Sequence, residues 1–76
     1  MEENKFLEHF REALEMEENQ ELSLENSFRE LNEWDSLAQL SLTAMLDEVY
    51  EVQLESEDLD RLNTIGNLYL FVKSKH

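Results

Sequence analysis

Apolar residues recur three and four positions apart in three separate stretches of this chain, and an α-helix is the structure that gathers such a spacing onto one face. In the first stretch, from about Glu3 to Met16, Phe6, Leu7, Phe10, Ala13 and Leu14 share a stripe. In the second, Leu42, Met45, Leu46, Val49 and Tyr50 do so, and in the third Ile65, Leu68, Tyr69, Phe71 and Val72. The chain has no proline and one glycine, so little interrupts these runs. The expected fold class is all-α: an antiparallel bundle of three long helices plus one short helix, as a single domain over residues 1–76. Its expected core unites Phe6, Phe10, Leu42, Leu46, Ile65 and Val72.

The segments between the helices are legible in part. The polar run Glu17-Glu18-Asn19-Gln20 ends the first helix, and Leu22 to Trp34 reads as a long loop that still packs, with one short helical turn. A loop of that length in so small a domain is docked or functional. Asp35 and Ser36 are both good N-cap residues for a second helix running to about Tyr50, and Gln39 three residues after Ser36 suggests a capping box. That helix carries a second apolar row, Leu37, Leu40 and Ala44, which points to a side offered to a partner. A short helix is expected from Ser56 to Leu62 with Leu59 and Leu62 inward, and Thr64 is placed to cap the last helix. Lys73, Lys75 and His76 stand where a helix C-terminus favours positive charge.

Charge narrows the function. Nineteen acidic against six basic residues give a net charge of -13. Nucleic acid and anionic membrane surfaces recruit Lys and Arg and would repel such a chain, so partners with basic patches are expected instead. A chain this acidic invites a disordered reading, but 41% of its residues are hydrophobic and fall at helical spacing. No apolar run approaches the roughly 20 residues of a membrane span, and no basic segment leads into an apolar one as in a secretory signal. A cytoplasmic location is expected. Without cysteine, neither a disulfide nor a Cys-based zinc site can staple the fold.

Catalytic constellations are scarce. Nothing in the spacing sets His9 or His76 beside Ser36 for a Ser/His/Asp arrangement, and His9, next to Phe10, reads as a solvated residue. The acidic run Glu55, Glu57, Asp58, Asp60 lacks the glycine that a calcium-binding EF-hand loop requires, and reads as a solvated charged face. No catalytic residue and no metal ligand is assigned. The informative stretch is Trp34-Asp35-Ser36-Leu37, which on its own is a helix start between two apolar anchors.

Asp35-Ser36-Leu37 opening an amphipathic helix in a small acidic helical chain resembles the acyl carrier protein family, in particular its freestanding members. The likeness continues through Leu42 and Leu46, Asp47-Glu48-Val49-Tyr50, Leu54, the short acidic helix and Asn63-Thr64-Ile65. Upstream it is looser, at the Phe6, Phe10, Leu14 stripe and around Phe28. The resemblance implies a non-catalytic carrier, expected as a monomer, with 4'-phosphopantetheine joined covalently to Ser36 through a phosphodiester. It implies that Asp35 supports modification by a phosphopantetheinyl transferase by helping to hold that enzyme's metal ion. It also implies that Leu37, Leu40 and Ala44 contact partner enzymes: that transferase, an acyl- or aminoacyl-loading ligase, and an acyltransferase or synthase with basic docking patches. A phosphate on Ser36 agrees with the physics, because a helix start offers free N–H groups and a positive dipole end.

The pattern departs from the fatty-acid carriers, which usually show acidic residues soon after this motif, including a Glu five residues after the serine. Here Leu37-Ala38-Gln39-Leu40-Ser41 is neutral. Together with the tryptophan before Asp35, this resembles carriers of specialised lipid, polysaccharide or secondary-metabolite assembly. Two further readings stay open: an aminoacyl carrier, of the peptidyl or D-alanyl type, and an unmodified acidic docking domain that uses the Leu37/Leu40 row.

Overall fold

A computed structural model describes residues 2–17 and 20–75. Among these residues the elements are α1 (Glu2–Ala13), a 3-10 turn (Phe28–Glu30), α2 (Ser36–Tyr50), α3 (Ser56–Arg61) and α4 (Ile65–Lys75), with no strand. The all-α bundle of three long helices and a short one is therefore the fold. Its radius of gyration, 11.1 Å, is that of a tightly folded chain of this length, for which about 11 Å is expected.

One core joins all the elements. Phe6, Phe10, Leu42, Leu46, Ile65 and Val72 are buried, as their spacing predicts, together with Leu7, Leu14, Phe28, Ala38, Met45, Val52, Leu54, Leu59 and Leu68. Helices α1 and α2 end where the backbone turns left-handed. Glu15 (φ 56°) closes α1, with the Met16 N–H donating to the Arg11 carbonyl at 2.8 Å and the Glu15 N–H to Glu12 at 3.2 Å. Glu51 (φ 57°) closes α2 in a similar way, its N–H on the Asp47 carbonyl. The first helix thus stops at Ala13, short of the expected Met16, because a glutamate takes a conformation usually left to glycine.

The long connection before α2 is docked by backbone hydrogen bonds to the start of α4. The Phe28 N–H donates to Asn63 (3.2 Å), the Ile65 N–H to Asn26 (2.9 Å) and the Gly66 N–H to Leu24 (2.7 Å), around an isolated bridge between Ser27 and Thr64. Gly66 is required here: a Cβ at this position would lie 2.8 Å from the Leu24 carbonyl oxygen. Phe28 is fully buried with its ring 4.9 Å from that of Trp34. The Arg29 guanidinium packs over the Phe28 ring and donates to the carbonyls of Leu59 and Leu62 at the end of α3, the Leu59 carbonyl also accepting the Leu62 N–H at 3.1 Å.

Candidate functional site

The site is built at the start of α2. Asp35 has extended backbone (φ -155°, ψ -174°), and its Oδ1 accepts the Ala38 N–H at 2.7 Å. Asp35 is thus the N-cap and Ser36 the first helical residue, which corrects the expected Ser36–Gln39 capping box. The Gln39 N–H donates instead to the Asp35 carbonyl at 3.0 Å. A carboxylate at the cap outcompetes the serine hydroxyl for the first-turn amides, both as the stronger acceptor and as a charge at the positive helix end.

The same cap sets the helix rotation. Trp34, half-buried on Phe28, anchors the chain before the cap, and Ala38, Leu42, Met45 and Leu46 turn into the core. Ser36 is consequently exposed, and so is the second row: Leu37 is 70% and Leu40 67% exposed, and Ala44 is exposed as well. Asp35, Ser36, Leu37, Leu40 and Ala44 therefore share one end and side of α2. Val49, expected in the core, is 43% exposed, and Tyr50 is half-buried. Val49 lies on a ridge between two surface clefts, beyond the part of α2 that its neighbours cover.

The first three turns of α2 are uncharged in an otherwise acidic chain, as residues 62–72 are too. From Ser36 to Leu46 α2 has no charged side chain, and Asp47 and Glu48 are the first on it. The amides of Ser36 and Leu37 have no intrahelical acceptor and no partner among the described residues, so the positive end of α2 is open beside the serine hydroxyl. The second Asp35 oxygen is also without a hydrogen bond among these residues. An exposed hydroxyl, two open amides and a helix dipole fit a covalently held phosphate diester. Next to Leu40, a cleft of about 190 Å³ opens between α2 and α3, lined by Thr43, Leu54, Glu55 and Leu59 among others.

The other sequence-level candidates fall elsewhere. His9 is not simply solvated: it is half-buried and stands edge-on to the Tyr50 ring at 5.9 Å. His76 lies outside the described residues. The acidic run forms the first turn of α3, where the Asp58 carboxylate accepts the Glu55 N–H at 3.2 Å. Among the described residues no three His, Asp or Glu side chains are grouped to hold a metal ion, and no helix is long and apolar enough to cross a membrane. Arg29, tying the connection to α3, was invisible to spacing because its partners are distant backbone carbonyls.

No solved structure matches the chain. The family model described as the phosphopantetheine attachment site matches residues 4–72. Domains of this family carry covalently bound 4'-phosphopantetheine, do no chemistry of their own, are modified by a phosphopantetheinyl transferase and interact with synthase enzymes. The match takes in all but the ends of the bundle just described, and the chain belongs to this family, as a phosphopantetheine-carrying carrier protein.

Proposed function

We propose that Ser36 is the attachment residue and that the cargo is an acyl group, delivered to partner enzymes in the cytoplasm. The reading rests on one observation above all: the exposed Ser36 hydroxyl at an open helix start, behind the Asp35 cap. The other serines are poorer candidates. The Ser27 hydroxyl donates to Asn63 Oδ1, that of Ser74 to the Phe71 carbonyl, and Ser23 Oγ accepts the Glu25 N–H. Ser41 is mid-helix. Ser56 starts α3 but stands between Glu55 and Glu57, whose charges oppose a phosphate.

The chain's own part is to hold and present the arm, whose terminal thiol supplies the thioester chemistry when it is bound. Asp35 fixes the first turn with one oxygen and keeps the other free toward the transferase's metal ion. Leu37, Leu40 and Ala44 form the apolar contact for the transferase, a loading ligase and an acyltransferase or synthase. Basic patches on those enzymes find their carboxylates on either side of this row, at Glu30 and Glu33 before it and Asp47 and Glu48 after it. An apolar row beside a cleft of mixed lining, with Leu40, Leu54 and Leu59 among Gln39, Thr43, Glu55 and Ser56, supports an apolar cargo through its leucines. The uncharged first three turns of α2 suit partners in specialised lipid or secondary-metabolite assembly, with residues 1–76 acting as one carrier domain.

The test is intact mass after incubation with a broad-specificity phosphopantetheinyl transferase and coenzyme A. The wild-type chain is expected to gain one phosphopantetheine, and the modified protein to accept acyl groups from an acyl ligase but not amino acids from an adenylating enzyme. Uptake that survives Ser36→Ala would reject the residue, and aminoacyl loading would reject the cargo class. No uptake from any of several transferases would favour a docking domain.

A further inference from the structure

A second cleft, of about 490 Å³, lies between α1, the end of α2 and α4. That volume is in the range of small-molecule sites. Its walls are aromatic and aliphatic: Phe6, Tyr50, Tyr69, Val49 and Val72. Phe6 is fully buried and its ring contacts both Tyr50 (5.8 Å) and Tyr69 (5.3 Å), so it backs the two half-buried tyrosine rings that face the cleft.

The charge at its mouth is the unusual feature. One quarter of the chain is acidic, with 19 Asp and Glu in 76 residues, yet among the described residues no side chain lining the cleft is a carboxylate. Lys5 and Lys73, two of the three lysines in the chain, line it from opposite helices with His9. The Lys73 ammonium lies 5.4 Å from the Tyr69 ring centroid, over its face, which holds the charge at the aromatic wall. Across the His9–Val49 ridge the neighbouring groove is lined by Glu12, Glu15 and Glu48, so an anion is repelled there and drawn to the lysine side.

We propose that this cleft binds a small amphipathic carboxylate, its aromatic or short aliphatic body on the Tyr50 and Tyr69 rings and its carboxylate between Lys5 and Lys73. The cleft stands apart from the attachment site, since Val49 is about 20 Å along α2 from Ser36. It is a place for a free acid, separate from any acid carried on an arm, and it functions in the unmodified chain.

The experiment is an amide-shift titration of the unmodified, isotope-labelled protein with 2-naphthoate, and with 2-naphthalenemethanol as the same body without charge. At low ionic strength, saturable shifts are expected around His9, Tyr50 and Tyr69. The carboxylate should bind at least tenfold more tightly than the alcohol. The double variant Lys5→Gln/Lys73→Gln alters two exposed side chains, so the fold is kept, and it should abolish that tenfold preference. Equal binding of the two probes would overturn the proposal, as would shifts centred on Leu40, Leu54 and Leu59, or none that saturate at millimolar probe. Arm attachment plays no part in this measurement, so failure here and failure of the carrier reading are separate results.

Discussion

Two of the long helices, α2 and α4, begin with a capping side chain, and they use their first turns in opposite ways. At α4 the turn is closed: Asn26 and Leu24 carbonyls take the Ile65 and Gly66 amides, Thr64 Oγ1 takes the Asn67 N–H at 3.0 Å, and Asn67 Oδ1 returns to the Thr64 N–H at 3.1 Å. At α2 the Asp35 carboxylate takes the Ala38 amide, and the Ser36 and Leu37 amides stay open to solvent. The chain spends its docked connection on the helix that only has to be stable. It leaves the other with a free hydroxyl and an unsatisfied positive end, the electrostatic setting a phosphate needs. Local capping chemistry makes a helix start in both cases, and tertiary packing decides which first turn is left open.

Substitutions can break this comparison. The largest effect is expected from Ser36→Ala, which should abolish arm attachment while helical circular dichroism and a cooperative melt persist; a mass increment on the variant would mean that the open turn is not the site. Phe28→Ala attacks the closed turn from behind. It removes a fully buried ring and should cost about 3–5 kcal/mol. That is a large part of the roughly 4–11 kcal/mol expected for 76 residues. Hydrogen exchange at Ile65 and Gly66 should accelerate with it, and unchanged protection there would separate the connection from the α4 start. Asp35→Ala and Thr64→Ala remove the two caps and should each cost about 0.5–2 kcal/mol in chemical denaturation. Only the Asp35 variant should also slow modification by the transferase; equal slowing in both would reduce Asp35 to a cap. Smallest in stability is Leu40→Ala, expected within about 0.5 kcal/mol of wild type because the side chain is exposed. It should nevertheless weaken transfer from the loading enzyme, and unimpaired transfer would remove Leu40 from the docking row.

Much of this was readable in residue spacing. The stripes at Phe6/Phe10, Leu42/Leu46 and Ile65/Val72 went to the core because helical period alone places them there, and Thr64 caps α4 as its position suggested. The helix start at Asp35-Ser36 was legible from the capping preference of both residues and the exposed row from its spacing, whereas the carrier reading came from the resemblance of Asp35-Ser36-Leu37 and not from period. What stayed hidden depended on backbone conformation or on distant pairs. The left-handed Glu15 shortens α1 without a glycine to announce it, and Asp35 takes the cap that Ser36 also suits. Val49 shares the core-facing period but lies where the neighbouring helices leave it uncovered. The cleft between Lys5 and Lys73 brings together residues from opposite ends of the chain, which no local pattern reveals.

The Arg29 tie carries a consequence for how the protein folds. Its hydrogen bonds reach 30 and 33 residues along the chain, and the Ser27–Asn63 bond spans 36. Helices α1 and α2 form from neighbours, whereas these bonds must wait for a long loop to close, at an entropy cost that short-range contacts avoid. The hypothesis is that the tie is absent from the folding transition state and acts as a brake on unfolding. In a denaturant chevron, Arg29→Ala should therefore raise the unfolding limb and leave the folding limb in place. A slowed folding limb would instead mean that the connection and α3 meet early, and that the two halves of the chain are joined before the bundle consolidates.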